Sequence, residues 1–407
     1  MSILTTLRTK TLTFSIGLIL LCGSSVHAKE LKATDTHEFM LSNGMKVIVK
    51  EDHRAPTVAH MVWYKAGSID EVNGKTGVAH VLEHMMFKGT KKLKPGDFSK
   101  QVAAVGGRDN AFTSKDYTAY FQQIEKSHLE KMMALESDRM ANLQIREDEF
   151  AKEIQVVMEE RRLRTDDQAS AIVYEQLVAA AFINSPYRNP IIGWMDDLKN
   201  MTYQDALEWY QDWYAPNNAV LVVSGDVEPN EVHALAQKYY GAIPAKKIKD
   251  RKPQQEIPQI GARRIQVKAP AENPDITFAW KVPKVESADI KLIDPYALSV
   301  LAGILDGHAN SRLNRKLVRD LRLADSVDAS YGMTGRGPQL FGISASPAKG
   351  KTIADIEKHV RLILNEIRQS GVTDAELNRV KSQLLSAQIY KRDSIFAQAM
   401  EIGMSEM

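Results

Sequence analysis

This chain has few thiol groups and little net charge. It has 407 residues and a single cysteine, Cys22, which excludes an intramolecular disulfide and a metal centre built on several thiolates. The 53 basic and 51 acidic residues leave a formal charge of only +2. Proteins that bind nucleic acid or anionic membranes usually carry an excess of basic residues. The composition therefore gives no support for either kind of partner.

Long apolar runs are also absent, apart from one near the N-terminus. Residues 12–22 are apolar or small, follow Arg8 and Lys10, and precede the small-residue segment 26–28. The run is about half the length that a membrane span requires. This order is typical of a secretory signal peptide cleaved after Ala28. We therefore expect residues 1–28 to be removed, the protein to be periplasmic or secreted, and no membrane span to remain.

A lipoprotein anchor at Cys22 is the alternative interpretation of this segment. Bulky Leu21 stands where a small residue is expected before a lipid-modified cysteine, so we favour a cleaved signal peptide. Cleavage would remove Arg8 and Lys10 and no acidic residue, so the basic residues would then equal the 51 acidic ones. The processed chain would have no cysteine and no formal net charge.

The length predicts two domains of roughly 150–200 residues each. Residues 246–262, rich in Lys, Pro and Gln, are the predicted linker between an N-terminal domain at 29–245 and a C-terminal domain at 263–407. The same types of element recur in both parts. We therefore predict an α+β fold of two related halves, each a mainly antiparallel sheet packed with helices, enclosing a cleft. The second half is shorter, and we expect it to be incomplete, either because the chain is truncated or because the last part of the repeat is absent.

Local patterns predict the individual elements. Asn43-Gly44, flanked by alternating apolar residues, predicts a hairpin. A helix is predicted to begin near Thr76, and residues 110–124 alternate as one strand. Residues 129–164 have the pattern of two helices, and residues 263–283 are predicted to supply strands that open the second half.

The segment "VAHVLEHMMF" carries the clearest chemical signal. His80 and His84 lie four residues apart, so a helix places both imidazoles on one face, with Glu83 beside them. The order H-x-x-E-H is the zincin motif reversed. A catalytic zinc takes three protein ligands and leaves a position open for water. An ordinary helix would explain one buried histidine, but two histidines and a glutamate together favour a metal site.

The third ligand must come from elsewhere, and residues 150–164 offer Glu153, Glu159 and Glu160. Glu153 and Glu160 share a helix face two turns apart, whereas Glu159 points about 100° away. The spacing leaves open which glutamate binds the metal and which one orients a ligand. The remaining histidines considered have no partner at ligand spacing, and we expect them to be surface or hydrogen-bonded residues: His53, His60, His128, His233, His308 and His359.

Several segments resemble the pitrilysin/insulinase family of zinc peptidases, which also includes bacterial processing-peptidase-like proteins. "TGVAHVLEHMMFKGT" resembles the H-x-x-E-H helix of that family. "GGRDNAFTSKDYTAYF" resembles its G-G-x-x-N-A-x-T-S strand, and "EIQVVMEE" resembles its E-x-x-V-V-x-x-E helix. The resemblance continues over nearly the whole chain after the signal segment.

This resemblance implies the roles of individual residues. It implies one Zn²⁺ per chain, bound by His80, His84 and Glu160, with Glu83 as the general base and Glu153 as a second acidic residue of the catalytic site. The implied activity is that of a secreted metalloendopeptidase acting on peptides or unfolded protein segments. In this mechanism zinc polarises the scissile carbonyl and its bound water, and a carboxylate accepts the proton of the water.

The resemblance also implies where a substrate binds. A peptide is expected to lie extended along the strand that contains Asn110 and Ala111, paired through backbone hydrogen bonds. In the second half, "RDLRLADSV" departs from the family pattern R-E-x-R-G-L-A-Y, whose Arg and Tyr contact the substrate. Arg319 matches the arginine, but the glycine is missing, Asp325 stands where the tyrosine is expected, and Tyr331 is out of register.

Three classes of function follow from these observations. The first is an active zinc endopeptidase. The second is a zinc-bearing subunit that needs a related partner subunit, or a non-catalytic scaffold of the same fold; a homodimer or a heterodimer is expected. The third is a metal- or peptide-binding module without turnover. Glu83 speaks against this third class, because binding alone requires no base.

Overall fold

A computed structural model describes residues 36–252, 254–286 and 292–407. The predicted signal peptide lies outside these residues. Within the described ranges, no helix is both long enough and apolar enough to cross a membrane. The strands there are β1 (Thr36–Met40), β2 (Lys46–Glu51), β3 (Thr57–Tyr64), β4 (Arg108–Thr113), β5 (Thr118–Glu125), β6 (Ala219–Gly225), β7 (Ile276–Val282), β8 (Ala324–Tyr331) and β9 (Gln339–Pro347).

Twelve α-helices accompany the strands in the same described ranges. They are α1 (Val78–Met85), α2 (Asp97–Ala103), α3 (Leu129–Asn142), α4 (Glu147–Arg161), α5 (Ala169–Ala181), α6 (Met195–Asn200), α7 (Tyr203–Trp213), α8 (Pro229–Tyr239), α9 (Asp294–Asp306), α10 (Ile353–Ser370), α11 (Asp374–Lys391) and α12 (Ile395–Glu406). Two shorter segments, Arg162–Asp166 and Asn314–Asp320, are wound as π-helix. The helix predicted near Thr76 and the two predicted for residues 129–164 are confirmed.

The first half, residues 36–245, is built on a six-stranded sheet in the order β1-β2-β6-β3-β5-β4. All neighbouring strands run antiparallel except β2 and β6, which are parallel. The hairpin between β1 and β2 turns at Asn43-Gly44, as predicted, because Gly44 adopts a φ of +87°, which glycine tolerates. One face of the sheet packs against α1, α3, α7 and α8 in the main hydrophobic core.

The other face of this sheet is covered by α12, which comes from the end of the chain. Ala399, Phe396 and Met400 of α12 pack against a buried apolar layer that includes Met61, Trp63 and Val222. An exposed sheet face of this composition would leave a large apolar area in water. The second half of the chain therefore stabilises the sheet of the first half directly.

The second half, residues 263–407, contains an antiparallel sheet in the order β7-β9-β8. One face of this sheet packs against α9 and α10 in a separate core that includes Leu305, Phe341 and Ile356. Its other face lines a cavity of about 730 Å³, whose opposite wall is α5 and the segment around Tyr187. The predicted α+β fold of two related halves enclosing a cleft is thus confirmed.

Two predicted elements differ from the structure. Residues 110–124 form two strands, β4 and β5, and not one, because Ser114 and Tyr117 close a turn with a backbone hydrogen bond of 2.8 Å. Residues 263–275 form no strand; they pair with no neighbouring strand, and Arg264 contacts Glu357 on α10 at 2.9 Å. The described part of 246–275 thus has neither helix nor strand, and the predicted linker bounds stay a prediction.

Candidate active site

The helix α1 carries the H-x-x-E-H motif, and its start is held in place by its neighbours. Gly77 precedes the helix with a φ of +88°, a left-handed conformation that favours glycine. A Cβ atom there would lie 2.5 Å from the carbonyl oxygen of Ile192, so the two segments pass too closely for a side chain. The buried carboxylate of Glu71 accepts hydrogen bonds from the N–H groups of Gly77 and Ala79 at 2.9 and 3.0 Å. These contacts fix the orientation of α1.

His80, His84 and Glu160 converge from two helices. The Oε2 atom of Glu160, on α4, lies 3.7 Å from Nε2 of His80 and 3.3 Å from Nε2 of His84. One ligand atom from each of the three residues lies within 4.8 Å of the others. Ligands about 2.0–2.1 Å from one tetrahedral zinc are roughly 3.3–3.4 Å apart, so these spacings suit a zinc ion. Two imidazoles and a carboxylate are also a donor set typical of catalytic zinc.

A second carboxylate stands behind His84. Nδ1 of His84 lies 2.9 Å from Oε1 of Glu153, and the ammonium of Lys88 lies 2.5 Å from Oε2 of the same carboxylate. Burial alone would raise the pKa of Glu153, but hydrogen bonds from His84 and Lys88 outweigh it and leave the pKa below its usual value. Glu153 therefore fixes the tautomer of His84 whose Nε2 is free to bind a metal.

The two histidines differ in their affinity for protons. Burial lowers the pKa of His80 to about 3, and the positive charges of His84 and Arg164 act in the same direction. Burial also lowers the pKa of His84, but the hydrogen bond to Glu153 and the charge of Glu160 outweigh it and raise the pKa above its usual value. Among the described residues, Nδ1 of His80 is buried without a hydrogen-bond partner. His80 is thus neutral at physiological pH, the form that binds metals.

Glu83 lies beside this cluster and is held by a neighbouring hydroxyl. The hydroxyl of Thr113, the last residue of β4, donates a hydrogen bond of 2.5 Å to Oε2 of Glu83. Burial raises the pKa of Glu83, while Thr113 and the charge of His84 act in the opposite direction. A carboxylate with a raised pKa that is held by one donor is suited to accept and return a proton.

The cluster opens into a cavity of about 660 Å³ in the first half. Its walls include His80, Glu83, His84 and Glu160, and also residues 110–113 of β4. In the described part of the sheet, β4 is an edge strand. Asn110 is exposed, and its side-chain oxygen accepts the N–H of Ala111 at 2.9 Å. The structure thus brings Asn110 and Ala111 to the same cavity as the histidines.

The predicted contact from the second half is not brought to this cluster. Arg319 lies in the π-helical segment Asn314–Asp320, is exposed, and donates a hydrogen bond to the side chain of Asn310. It lines neither cavity. Tyr331 is the last residue of β8 and lines the cavity between the halves. A role of Arg319 in substrate binding therefore stays a prediction.

Three residues near the cluster were not found from the sequence. Arg164 pairs with Oε1 of Glu160, and this contact follows the i,i+4 spacing at which helical ion pairs form, so a signal for it existed. Lys88 and Thr113 had no such signal. Both contacts join residues more than 25 positions apart in the sequence, and only the packing of α1 against α4 and β4 creates them.

Two family models match the chain in succession. The model described as Insulinase (Peptidase family M16) matches residues 46–194, and the model described as Peptidase M16 inactive domain matches residues 200–384. The zinc protease PqqE of Helicobacter pylori is 34% identical over 375 residues, which cover 89% of this chain and 81% of the relative. The chain belongs to peptidase family M16, the insulinase family. The first matched region of this M16 protein contains the whole His80, His84 and Glu160 cluster.

Other relatives agree with this assignment. The probable mitochondrial-processing peptidase subunit beta of Schizosaccharomyces pombe is 28% identical over 386 residues and is matched over 90% of this chain and 81% of its own length. The crystal structure of a protease from Helicobacter pylori superposes with a TM-score of 0.86 at 31% identity, covering 91% of this M16 chain and 88% of that one. Relatives named zinc proteases support a peptidase function and zinc as the metal of the family.

Proposed function

We propose that this chain is a secreted zinc metalloendopeptidase that hydrolyses peptides or unfolded protein segments, with one catalytic Zn²⁺ per chain. The observation that carries the proposal is the convergence of His80, His84 and Glu160 at the wall of a cavity that also contains Glu83. A structural scaffold has no physical need for a buried carboxylate beside two histidines. The name of the Helicobacter pylori relative, a zinc protease, supports the same activity.

His80, His84 and Glu160 would hold the metal, and Glu153 would keep His84 in the required tautomer through Nδ1. When bound, zinc supplies a Lewis acid that polarises the scissile carbonyl and lowers the pKa of water. Glu83 then accepts a proton from the attacking water and delivers it to the nitrogen of the leaving amine. Thr113 holds one oxygen of Glu83, which leaves the other oxygen free for this transfer.

The free edge of β4 would bind the substrate. An extended peptide can add to this edge as a further antiparallel strand, with its backbone opposite Asn110 and Ala111. The N–H of Ala111 is bonded to the side chain of Asn110, and a substrate carbonyl would replace that bond. Because backbone groups make these contacts, they favour extended, unfolded segments over folded proteins.

A related partner subunit is the second possibility that the chain supports. The Schizosaccharomyces pombe relative is named a subunit, and Arg319 lies outside both cavities of this chain. A homodimer or a heterodimer could supply a cationic contact to the substrate from the second chain. Under this hypothesis the purified chain binds zinc but cleaves peptides poorly until the related subunit is added.

The test compares the wild-type chain with Glu83→Gln in zinc content and in hydrolysis of an unstructured peptide. Glu159→Gln is the matched control, because Glu159 is exposed on α4 and pairs with Arg162. We expect the zinc ion held by His80, His84 and Glu160 in all three proteins. Cleavage should fall by about 10²–10⁴-fold only in Glu83→Gln. Zinc without cleavage in the wild type would indicate a missing partner subunit. A wild type that binds no zinc would overturn the proposal.

A further inference from the structure

A second cluster of metal-binding side chains lies at the other end of the sheet, away from both cavities. Glu51, His53 and Glu228 each offer one ligand atom, and these atoms lie within 4.8 Å of one another. Nε2 of His53 lies 3.7 Å from Oε1 of Glu51. Nε2 of His37, on β1, lies 3.1 Å from Oε2 of the same carboxylate. The His37 imidazole thus contacts the oxygen of Glu51 that does not face His53, and the group with ligand spacing is one imidazole and two carboxylates.

The strand order brings these residues together. β2 and β6 are parallel neighbours, and Glu51 at the end of β2 is in register with Gly225 at the end of β6. The segments that follow the two strands therefore leave the sheet at the same end. The segment after β2 carries His53, and the segment after β6 carries Glu228. Glu228 precedes α8 but makes no capping hydrogen bond to it, so its carboxylate is free to face His53.

The environment of His53 repeats that of His84 in the candidate active site. Nδ1 of His53 lies 2.6 Å from Oδ1 of Asp226, and the ammonium of Lys126 lies 2.6 Å from Oδ2 of Asp226. At the candidate active site, Glu153 and Lys88 stand in the same relation to His84. In both places a carboxylate fixed by a lysine accepts the Nδ1 proton and leaves Nε2 facing glutamate oxygens. That is the carboxylate–histidine arrangement common behind metal-binding histidines.

We propose that Glu51, His53 and Glu228 form a second binding site for a divalent transition-metal ion. His37 would hold the second oxygen of Glu51, and Asp226 would orient His53. Imidazole ligands favour zinc, nickel and copper over calcium and magnesium, which prefer oxygen ligands alone. The site differs from the candidate active site in two respects. It is exposed to solvent, and none of its residues lines either cavity.

The ligand positions indicate a structural role for this metal. Glu51 lies on β2, which pairs with the edge strand β1, whereas Glu228 immediately precedes α8. A bound ion would therefore tie the edge hairpin to the segment that follows β6. Binding to the folded chain only would stabilise it in proportion to the logarithm of the metal concentration. No step of the proposed peptide hydrolysis depends on this site.

The experiment counts Zn²⁺ ions bound to the full chain by equilibrium dialysis and isothermal titration. Three variants are compared with the wild type. Glu160→Gln removes a ligand of the candidate active site, His53→Ala removes a ligand of the second site, and the third variant combines both substitutions. His359→Ala is the control, because Nδ1 of His359 contacts only the carbonyl of Asp355 on its own helix. We expect two zinc ions in the wild type and in His359→Ala, one in either single variant, and none in the double variant.

A second pair of variants keeps the test independent of any folding defect. Glu228→Gln preserves the size of the side chain and should abolish the second binding event. Asp226→Asn should weaken it by about 10–100-fold, as loss of an orienting carboxylate does at other metal sites. Mg²⁺ should bind to neither of the two zinc sites. The proposal would be overturned if the wild type binds only the Glu160-dependent zinc. It would also be overturned if His53→Ala and Glu228→Gln leave the second zinc unchanged. A wild type that lacks only the Glu160-dependent ion would instead contradict the proposed peptidase site.

Discussion

Arg336 of the second half and Asp70 of the first half form a two-point ion pair. The guanidinium nitrogens Nη1 and Nη2 lie 2.7 Å from Oδ2 and Oδ1 of Asp70, whose side chain is only 3% exposed. The backbone N–H of Arg336 also donates to Asp116 at 3.0 Å, in the turn between β4 and β5. One residue of the second half thus holds the hairpin that carries Thr113 and the proposed substrate-binding edge.

Arg336→Ala should lower both stability and peptidase activity. The substitution removes two charged hydrogen bonds from a buried carboxylate, although Arg251 still contacts Asp70 at 2.9 Å. We expect a loss of about 1.5–3 kcal/mol in the free energy of unfolding, measured with a chemical denaturant. Peptidase activity should fall because the β4–β5 hairpin loses its side-chain contact with Arg336 of the second half. Arg361→Ala is the control, since Arg361 is exposed and pairs within α10; equal effects of the two substitutions would refute the prediction.

Thr113→Val should shift the pH dependence of peptide hydrolysis. The hydroxyl of Thr113 donates to Glu83 and lowers the pKa of that carboxyl against the effect of burial. Without this donor the pKa of Glu83 rises, so a smaller fraction is ionised at a given pH. The acid limb of kcat/KM should therefore move to higher pH, with a larger loss of rate at pH 6 than at pH 8. Thr113→Ser keeps the hydroxyl and should restore the wild-type profile; a pH profile unchanged in Thr113→Val would contradict this.

Glu153→Gln should change how protons compete with zinc. The pKa of His84 is raised chiefly by its hydrogen bond to Glu153 against the lowering effect of burial, and protonated His84 cannot bind metal. Removing this charge lowers the pKa of His84. The midpoint of the acid-induced fall in zinc affinity, taken relative to the affinity of the same protein at pH 8, should therefore move to lower pH. At pH 8 the affinity should nevertheless fall by about 10–100-fold, because His84 loses its orienting partner. Chelator competition between pH 5 and pH 8 measures both effects, with Glu159→Gln as the control. A midpoint in Glu153→Gln equal to that of the wild type would contradict the prediction.

Gly403→Ala should loosen α12 from the sheet. A Cβ atom on Gly403 would lie 2.0 Å from Cε2 of buried Trp63, so the helix and the indole cannot both keep their positions. Overpacking of this kind costs about 1–3 kcal/mol, which exceeds the gain of about 1 kcal/mol that alanine brings to a helix. The free energy of unfolding should fall relative to the wild type. Ser405→Ala, on the exposed side of the same helix, should leave the free energy of unfolding nearly unchanged. A Gly403→Ala variant more stable than the wild type would contradict the prediction and show that the packing around Trp63 can adapt.

Short-range patterns allowed a large part of the fold to be predicted. The helix around His80 and His84, the hairpin at Asn43-Gly44 and the helix pair in residues 129–164 all follow from spacings within one element. Such patterns fail where a chain reversal is short and polar. The turn between β4 and β5 contains the polar residues Ser114, Lys115 and Asp116, and no glycine or proline in 110–124 marks the reversal.

The candidate site was only partly predictable for the same reason. The helical repeat places Glu153 and Glu160 on one face of α4, and the sequence by itself left their roles open. The tertiary structure separates them, because α4 crosses α1 so that Glu160 faces both Nε2 atoms while Glu153 contacts Nδ1 of His84. The crossing of two helices is set by packing over the whole sheet, which no local spacing records.

The sequence by itself determined which residues could bind a metal within one helix, since a period of 3.6 residues fixes His80, Glu83 and His84 relative to one another. Only the tertiary structure decided what lies beside them, and it also gave the exposed His53 partners that the sequence spacing does not show. Its neighbours Asp226 and Glu228 are more than 170 residues away in the chain and meet it because β2 and β6 run parallel and end together. Strand order depends on the burial of the complete sheet, and for that reason it appears only when the chain has folded.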